Sequence, residues 1–142
     1  GMTGRLAAIL PALLDGDQEP AAALAALLAR GDELPGVGHP LYPAGDVRAA
    51  WLLRQMREAW PQDRRLERAL DLGRAGAELA GTPPTIDFAL VLLADRLGLP
   101  SQAPLILFTI GRIVGWMAHL LEQARSPMLI RPRARYTGIR PG

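Results

Sequence analysis

Six stretches of this sequence carry leucine and alanine at helical spacing, and glycine or proline breaks the chain between them. This punctuation constrains the fold more than any other feature. Apolar residues three and four apart form one buried stripe on a helix, whereas a half-buried strand needs alternation at every second residue. The spacing predicts helices over 5–14, 19–30, 47–60, 63–80, 86–97 and 102–124. Gly31 stops the second, Gly81 with "TPP" the fourth, and "GLP" the fifth. Asp46 is placed to cap the third. No alternating pattern of any length occurs, apart from a short candidate strand in "MLIRPR". The expected fold class is all-α: a multi-helical single domain over residues 1–142, with an irregular, extended basic tail over 125–142. The opening "GMTGR" reads as a tag-derived glycine before Met2, with residues 1–4 a disordered start.

Composition narrows the chemistry. The chain has no cysteine, which excludes disulfides, thiolate metal sites and a cysteine nucleophile. His39 and His119 are its two histidines, so a multi-histidine metal site is excluded as well, and no metal is expected. All sixteen basic residues are arginine. A G- and C-rich coding sequence accounts for most of that bias. The tail from Arg125 carries five arginines and no acid, and could meet phosphate or carboxylate. No nucleic-acid-binding motif accompanies it, so no nucleic-acid partner is expected. The segment "APLILFTIGRIVGWMAHLL" has the length of a bilayer span. Arg112 sits at its middle, and placing that charge in lipid costs at least about 2.5–3.5 kcal/mol. A core helix with a paired or ligand-bound arginine is therefore expected, not a membrane span. No signal peptide is read, and the expected location is cytoplasmic.

Two further places stand out. Residues 34–48 read "LPGVGHPLYPAGDVR", a loop broken by glycine and stiffened by proline, which lowers the entropy cost of ordering it. Such a loop suits a site, although most are only turns, and an isolated loop histidine such as His39 is usually solvated. Asp87 follows "TPPT" at the start of a helix. From spacing alone it is a first-turn carboxylate that favours the helix dipole. Arg48 alone would be a helix-surface charge. His119 reads as a satisfied core histidine, and Trp51, Trp60 and Trp116 as core or interface anchors.

Four motifs in order resemble the citrate synthase family. "GVGHPLYPAGDVRA" is similar to that family's GFGH-x-x-Y-x-x-x-DPRA loop, and "PTIDFALVLLADRLGLP" to its PNVDF segment, helix and LGIP. "LFTIGRIVGWMAHLLEQ" is similar to FAIGRTVGWIAHALEQ, and "LIRPRARYTG" to RIIRPRARYTG. Together they cover about the last hundred residues. Val47 departs from the family's proline, which would preset the first helical turn.

The resemblance implies a small, CoA-binding domain of a two-domain helical enzyme that condenses acetyl-CoA with a 2-oxo acid such as oxaloacetate. It implies Asp87 as the catalytic base and His39 as the group that holds the 2-oxo oxygen. It implies Arg48, Arg112 and Arg131 as clamps on the acid's carboxylates, and Pro35, Gly36, Val37 and Gly38 as the strip whose backbone lies against the CoA adenine. CoA would be a substrate, not a permanent cofactor. No segment of the sequence matches the family's large domain, which supplies a further histidine to the thioester carbonyl. The resemblance therefore leaves two expectations open. One is part of a condensation site that needs a separately encoded large domain. The other is a non-catalytic module that binds CoA or a dicarboxylate. An apolar face that the large domain would cover favours a homo-oligomer in either case.

Overall fold

The computed structural model describes residues 1–34, 36–126 and 137–138. Among them the regular elements are six α-helices: α1 (Met2–Asp15), α2 (Pro20–Ala29), α3 (Val47–Ala59), α4 (Arg64–Ala80), α5 (Ile86–Arg96) and α6 (Ala103–Arg125). The all-α fold and the helix order agree with the spacing of the sequence. The start differs. Helix α1 begins at Met2, so the segment read as a disordered start is helical. The candidate strand "MLIRPR" and most of the basic tail lie outside the described residues.

The chain divides into two compact units, residues 1–110 and 111–142. In the first, α4 contacts α1, α2, α3 and α5, and α5 lies buried among α1, α3 and α4. Its sequence explains why. Phe88, Ala89, Leu90, Val91, Leu92 and Ala94 are all buried, so this helix is apolar on nearly every side, as a helix surrounded by others must be. Its neighbours each contribute a single stripe. Leu6, Leu10 and Leu14 on α1 stand four apart, and Leu66, Ala69 and Leu72 on α4 stand three apart. Leu24 and Leu27 of α2 and Met56 of α3 complete the core.

Caps and ion pairs fix the helix ends. The Asp63 carboxylate accepts from the amides of Arg65 and Leu66 and so caps α4. Arg65 forms a two-pronged pair with Asp95 at 2.7 and 3.0 Å and also meets Asp15. One arginine at the start of α4 thus holds the ends of α5 and α1. Trp60 packs on the core and carries the Arg96 guanidinium 5.0 Å above its ring.

Helix α6 departs from expectation. Its sequence predicts a core helix, yet Pro104 is its one buried residue. Trp116 is exposed, and so is His119, whose ring meets Glu122 at 3.4 Å instead of a core partner. Trp51 on α3 is exposed too. The physical reason is that helical spacing and hydropathy report a demand for burial, not the surface that meets it. By length and composition α6 could cross a membrane.

Gly36 sits where α1, α5 and the loop meet. Its φ is +88°, and a Cβ there would lie 2.8 Å from Leu6 Cδ2 and 3.1 Å from Phe88 Cβ. Gly36→Ala must bear both a left-handed backbone and overpacking, and is expected to cost about 2–5 kcal/mol. Urea unfolding followed by circular dichroism checks this, and an unchanged midpoint would contradict the packing described.

Candidate functional site

The loop over residues 36–46 is anchored to the segment before α5. Gly36 O accepts from Thr85 N at 2.8 Å, and Gly38 N donates to Pro83 O at 3.0 Å. Val37 and Pro84 form an isolated antiparallel bridge between these bonds. Gly38 has φ +73°, and a Cβ on it would meet Thr82 Oγ1 at 2.8 Å. Gly38 is therefore required by its close approach to Thr82, as Gly36 is by Leu6 and Phe88.

Asp46 organises the junction of α3 and α5. Its residue is 3% exposed, and its carboxylate accepts four hydrogen bonds. Oδ1 takes the amide of Arg48 at 3.1 Å and the Arg48 Nε at 2.9 Å. Oδ2 takes the other prong of Arg48 at 2.9 Å and the amide of Ile86 at 3.0 Å. Asp46 thus caps α3, as expected, and also caps α5, where the Thr85 side chain makes no capping bond. One anion serves two positive helix ends. Burial pushes the Asp46 carboxyl up. The Arg48 guanidinium, the amides of Ile86 and Arg48, and the charge of Arg48 outweigh it and hold the group down at about 2.

Arg48 is in turn fixed in place. Its guanidinium stands 4.8 Å over the Tyr42 ring, and Tyr42 leans on the His39 ring with centroids 5.0 Å apart. The hydrogen bond to Asp46 pushes Arg48 up. Burial opposes this, while the charges of Asp46, Tyr42 and Asp87 add to it. His39 Nδ1 accepts the amide of Leu41 at 3.1 Å. In the neutral ring this places the proton on Nε2, which is left to donate. Asp87 lies in the first turn of α5, half-buried, and accepts from the Thr3 hydroxyl at the start of α1.

The fold thus joins Arg48 directly to Asp46, links His39 to Arg48 through the Tyr42 ring, and places Asp87 one residue after the Ile86 amide that Asp46 accepts. Such a cluster offers a carboxylate to take a proton, a ring N–H to meet a developing oxyanion, and a guanidinium to hold an acid. Arg112 belongs to the second unit. It is exposed and lies along its own helix over Gly115, where a Cβ would come within 2.8 Å of its guanidinium. The described residues do not form the buried environment expected for it, since α6 is exposed around it. Pro35 and Arg131 lie outside the described residues. Among the described residues, no group of three His, Cys, Asp or Glu could hold a metal ion.

Helical spacing and the residues singled out from the motifs did not include Tyr42, Thr3 or the second role of Asp46. Tyr42 and Asp46 were marked by the H-x-x-Y-x-x-x-D spacing itself. Thr3 had no local signal, because its partner is 84 residues away.

Residues 4–133 match the family described as citrate synthase, C-terminal domain. The chain is 34% identical over 127 residues to a citrate synthase of Haloferax volcanii, covering 87% of this chain and 34% of that protein. It is 35% identical to a 2-methylcitrate synthase of Mycobacterium tuberculosis, covering 81% of this chain and 30% of that protein. It therefore spans about a third of the length of these relatives. Among solved structures, it is similar to a citrate synthase of Thermotoga maritima, with TM-score 0.78 and 26% identity, over 98% of this chain and 39% of that one. It is also similar to the Thermoplasma acidophilum citrate synthase in a ternary complex with carboxymethyl coenzyme A and oxaloacetate, with TM-score 0.69 and 27% identity, over 99% of this chain and 40% of that one. A citryl-CoA lyase of Hydrogenobacter thermophilus shares the fold at TM-score 0.81 and 21% identity, over 100% of this chain and 59% of that one.

Asp46 has a depressed folded carboxyl, so its contribution to stability is present above its unfolded value near 3.8 and is lost as pH falls toward about 2. The difference corresponds to about 2 kcal/mol. Asp46→Asn is therefore expected to be less stable than the parent at pH 6, with the gap closing by pH 2. Parallel urea unfolding of both proteins across this range measures it. A gap that does not change with pH would mean that the charge of Asp46 does not stabilise the fold.

Proposed function

The chain belongs to the citrate synthase family by its C-terminal domain, and from that premise we propose that it carries part of a site for condensing acetyl-CoA with a 2-oxo acid such as oxaloacetate. The observation that supports this reading is that Arg48 is held on the buried Asp46, with His39 linked to it through Tyr42 and Asp87 next to the Ile86 amide that Asp46 caps. In the proposed reaction, Asp87 takes a proton from the methyl carbon of the thioester. The resulting enolate attacks the oxo carbon of the acid. His39 Nε2–H gives its proton to the oxo oxygen as charge develops there, while Arg48 holds a carboxylate. Arg112 and Arg131 are assigned to the acid's remaining carboxylate. The backbone of residues 35–38 is assigned to the adenine of CoA.

A donor to the thioester carbonyl is also needed, and loss of one such donor costs about 10²–10³ in rate. In this proposal a large-domain polypeptide supplies it, and the exposed apolar face of α6 favours association with that polypeptide or with a second copy. The length of the relatives supports the need for further chain. Alone, the protein would bind and not turn over.

Calorimetry with CoA, with and without oxaloacetate, tests this on the parent and on His39→Ala. Oxaloacetate is expected to tighten CoA binding, and His39→Ala to weaken the oxaloacetate effect at least about tenfold, or about 1.4 kcal/mol. No heat at millimolar ligand would sink the proposal. Binding without turnover after a family large domain is added would leave a CoA- or dicarboxylate-binding module. In turnover, water hydrolyses the thioester of the condensation product and releases CoA, whose thiol a thiol reagent detects without background from this chain, which has no cysteine.

A further inference from the structure

A cavity of about 410 Å³ opens between α3, α4 and the start of α5, among residues that the condensation site does not use. The volume falls within the range of small-molecule sites, about 300–1,000 Å³. Its walls are apolar: Leu53 of α3, Leu70 and Ala77 of α4, and Phe88 of α5. Gly73 of α4 keeps the cavity narrow at one side, since a Cβ there would lie 3.2 Å from the Phe88 ring. Charge is confined to the helix surfaces at the mouth, where three arginines and one glutamate line the cavity.

Those charges are not equivalent. Arg57 on α3 pairs with Glu67 on α4 at 3.2 Å and bridges the two helices. Arg54 and Arg74 lie beyond that bridge, on the side away from the α3–α4 turn. Among the described residues each has a partner on its own helix only: Arg54 approaches Glu58 at 4.0 Å, and Arg74 meets Asp71. Exposed pairs of this kind contribute little, so both guanidiniums are cheaply released to another anion. A carboxylate suits two planar forks, and an apolar tail suits the walls below them.

We propose that this cavity binds a small amphipathic carboxylate, with its hydrocarbon chain between Leu53, Leu70, Ala77 and Phe88 and its carboxylate at Arg54 and Arg74. Such binding is independent of the proposed condensation. The cavity nevertheless shares α3 and α5 with the Asp46 cluster, and Phe88 in its wall directly follows Asp87.

Decanoate is the probe, titrated below its micelle concentration into the full chain, with decanol as the uncharged control. Methyl-resolved NMR is expected to show saturable shifts at Leu53, Leu70 and Ala77, with decanol at least tenfold weaker. Ala77→Leu fills the cavity and is expected to abolish these shifts. Arg54→Gln with Arg74→Gln is expected to weaken decanoate at least tenfold and leave decanol unchanged. Shifts confined to the α6 leucines, equal binding of decanol and decanoate, or undiminished binding to Ala77→Leu would each overturn the proposal. If Ala77→Leu loses helical circular dichroism, the double arginine variant decides alone, since both positions are exposed.

Discussion

A single buried carboxylate, that of Asp46, meets the first amides of two helices and the fork of one arginine. Its burial would be costly if any of its oxygens lacked a partner. Four donors remove that cost and turn the group into a joint. The joint fixes where α3 starts relative to α5, and so where Arg48 stands relative to Asp87. A neutral side chain of the same shape could accept hydrogen bonds, but it could not balance two helix dipoles and a guanidinium at once.

The loop before α3 obeys the same constraint. It must bring its chain back from α2 to the start of α5, and it does so by laying residues 36–38 along residues 83–85. Glycine is needed because the backbone is left-handed at Gly36 and Gly38 and because the side chains of Leu6 and Phe88 at the first, and of Thr82 at the second, leave no room for a Cβ. Proline elsewhere in the loop limits its freedom before folding. His39 therefore emerges from a held backbone, with one ring nitrogen already occupied and the other free to donate. Order in the loop and orientation of the ring have one cause.

Helix α6 shows the opposite situation. Most of its apolar residues are exposed, Pro104 being its one buried residue, and its arginine is exposed too. Its composition demands burial that the described residues of this chain do not supply. The same holds for the chemistry. The gathered groups can hold an acid and move a proton, but nothing in the Asp46 cluster is assigned to polarise a thioester carbonyl.

Helix positions were legible because helical spacing and the residues that end helices are local. The six spans expected from the sequence agree with the structure to within about three residues at each end. The residues of the candidate site were legible because the loop, the "PTIDF" segment and the arginines carry a family's motifs. Their arrangement was not. Asp46 looks like an ordinary cap until its second amide, 40 residues away, is seen. Thr3 looks like part of a loose start until it meets Asp87. Nor did hydropathy distinguish α5, which is buried on nearly all sides, from α6, which is exposed. The sequence by itself determined which segments are helical and which side chains can do chemistry, since both depend on neighbours along the chain. Only the tertiary structure decided which of those side chains share one carboxylate and which apolar faces are covered, since both depend on partners distant in sequence.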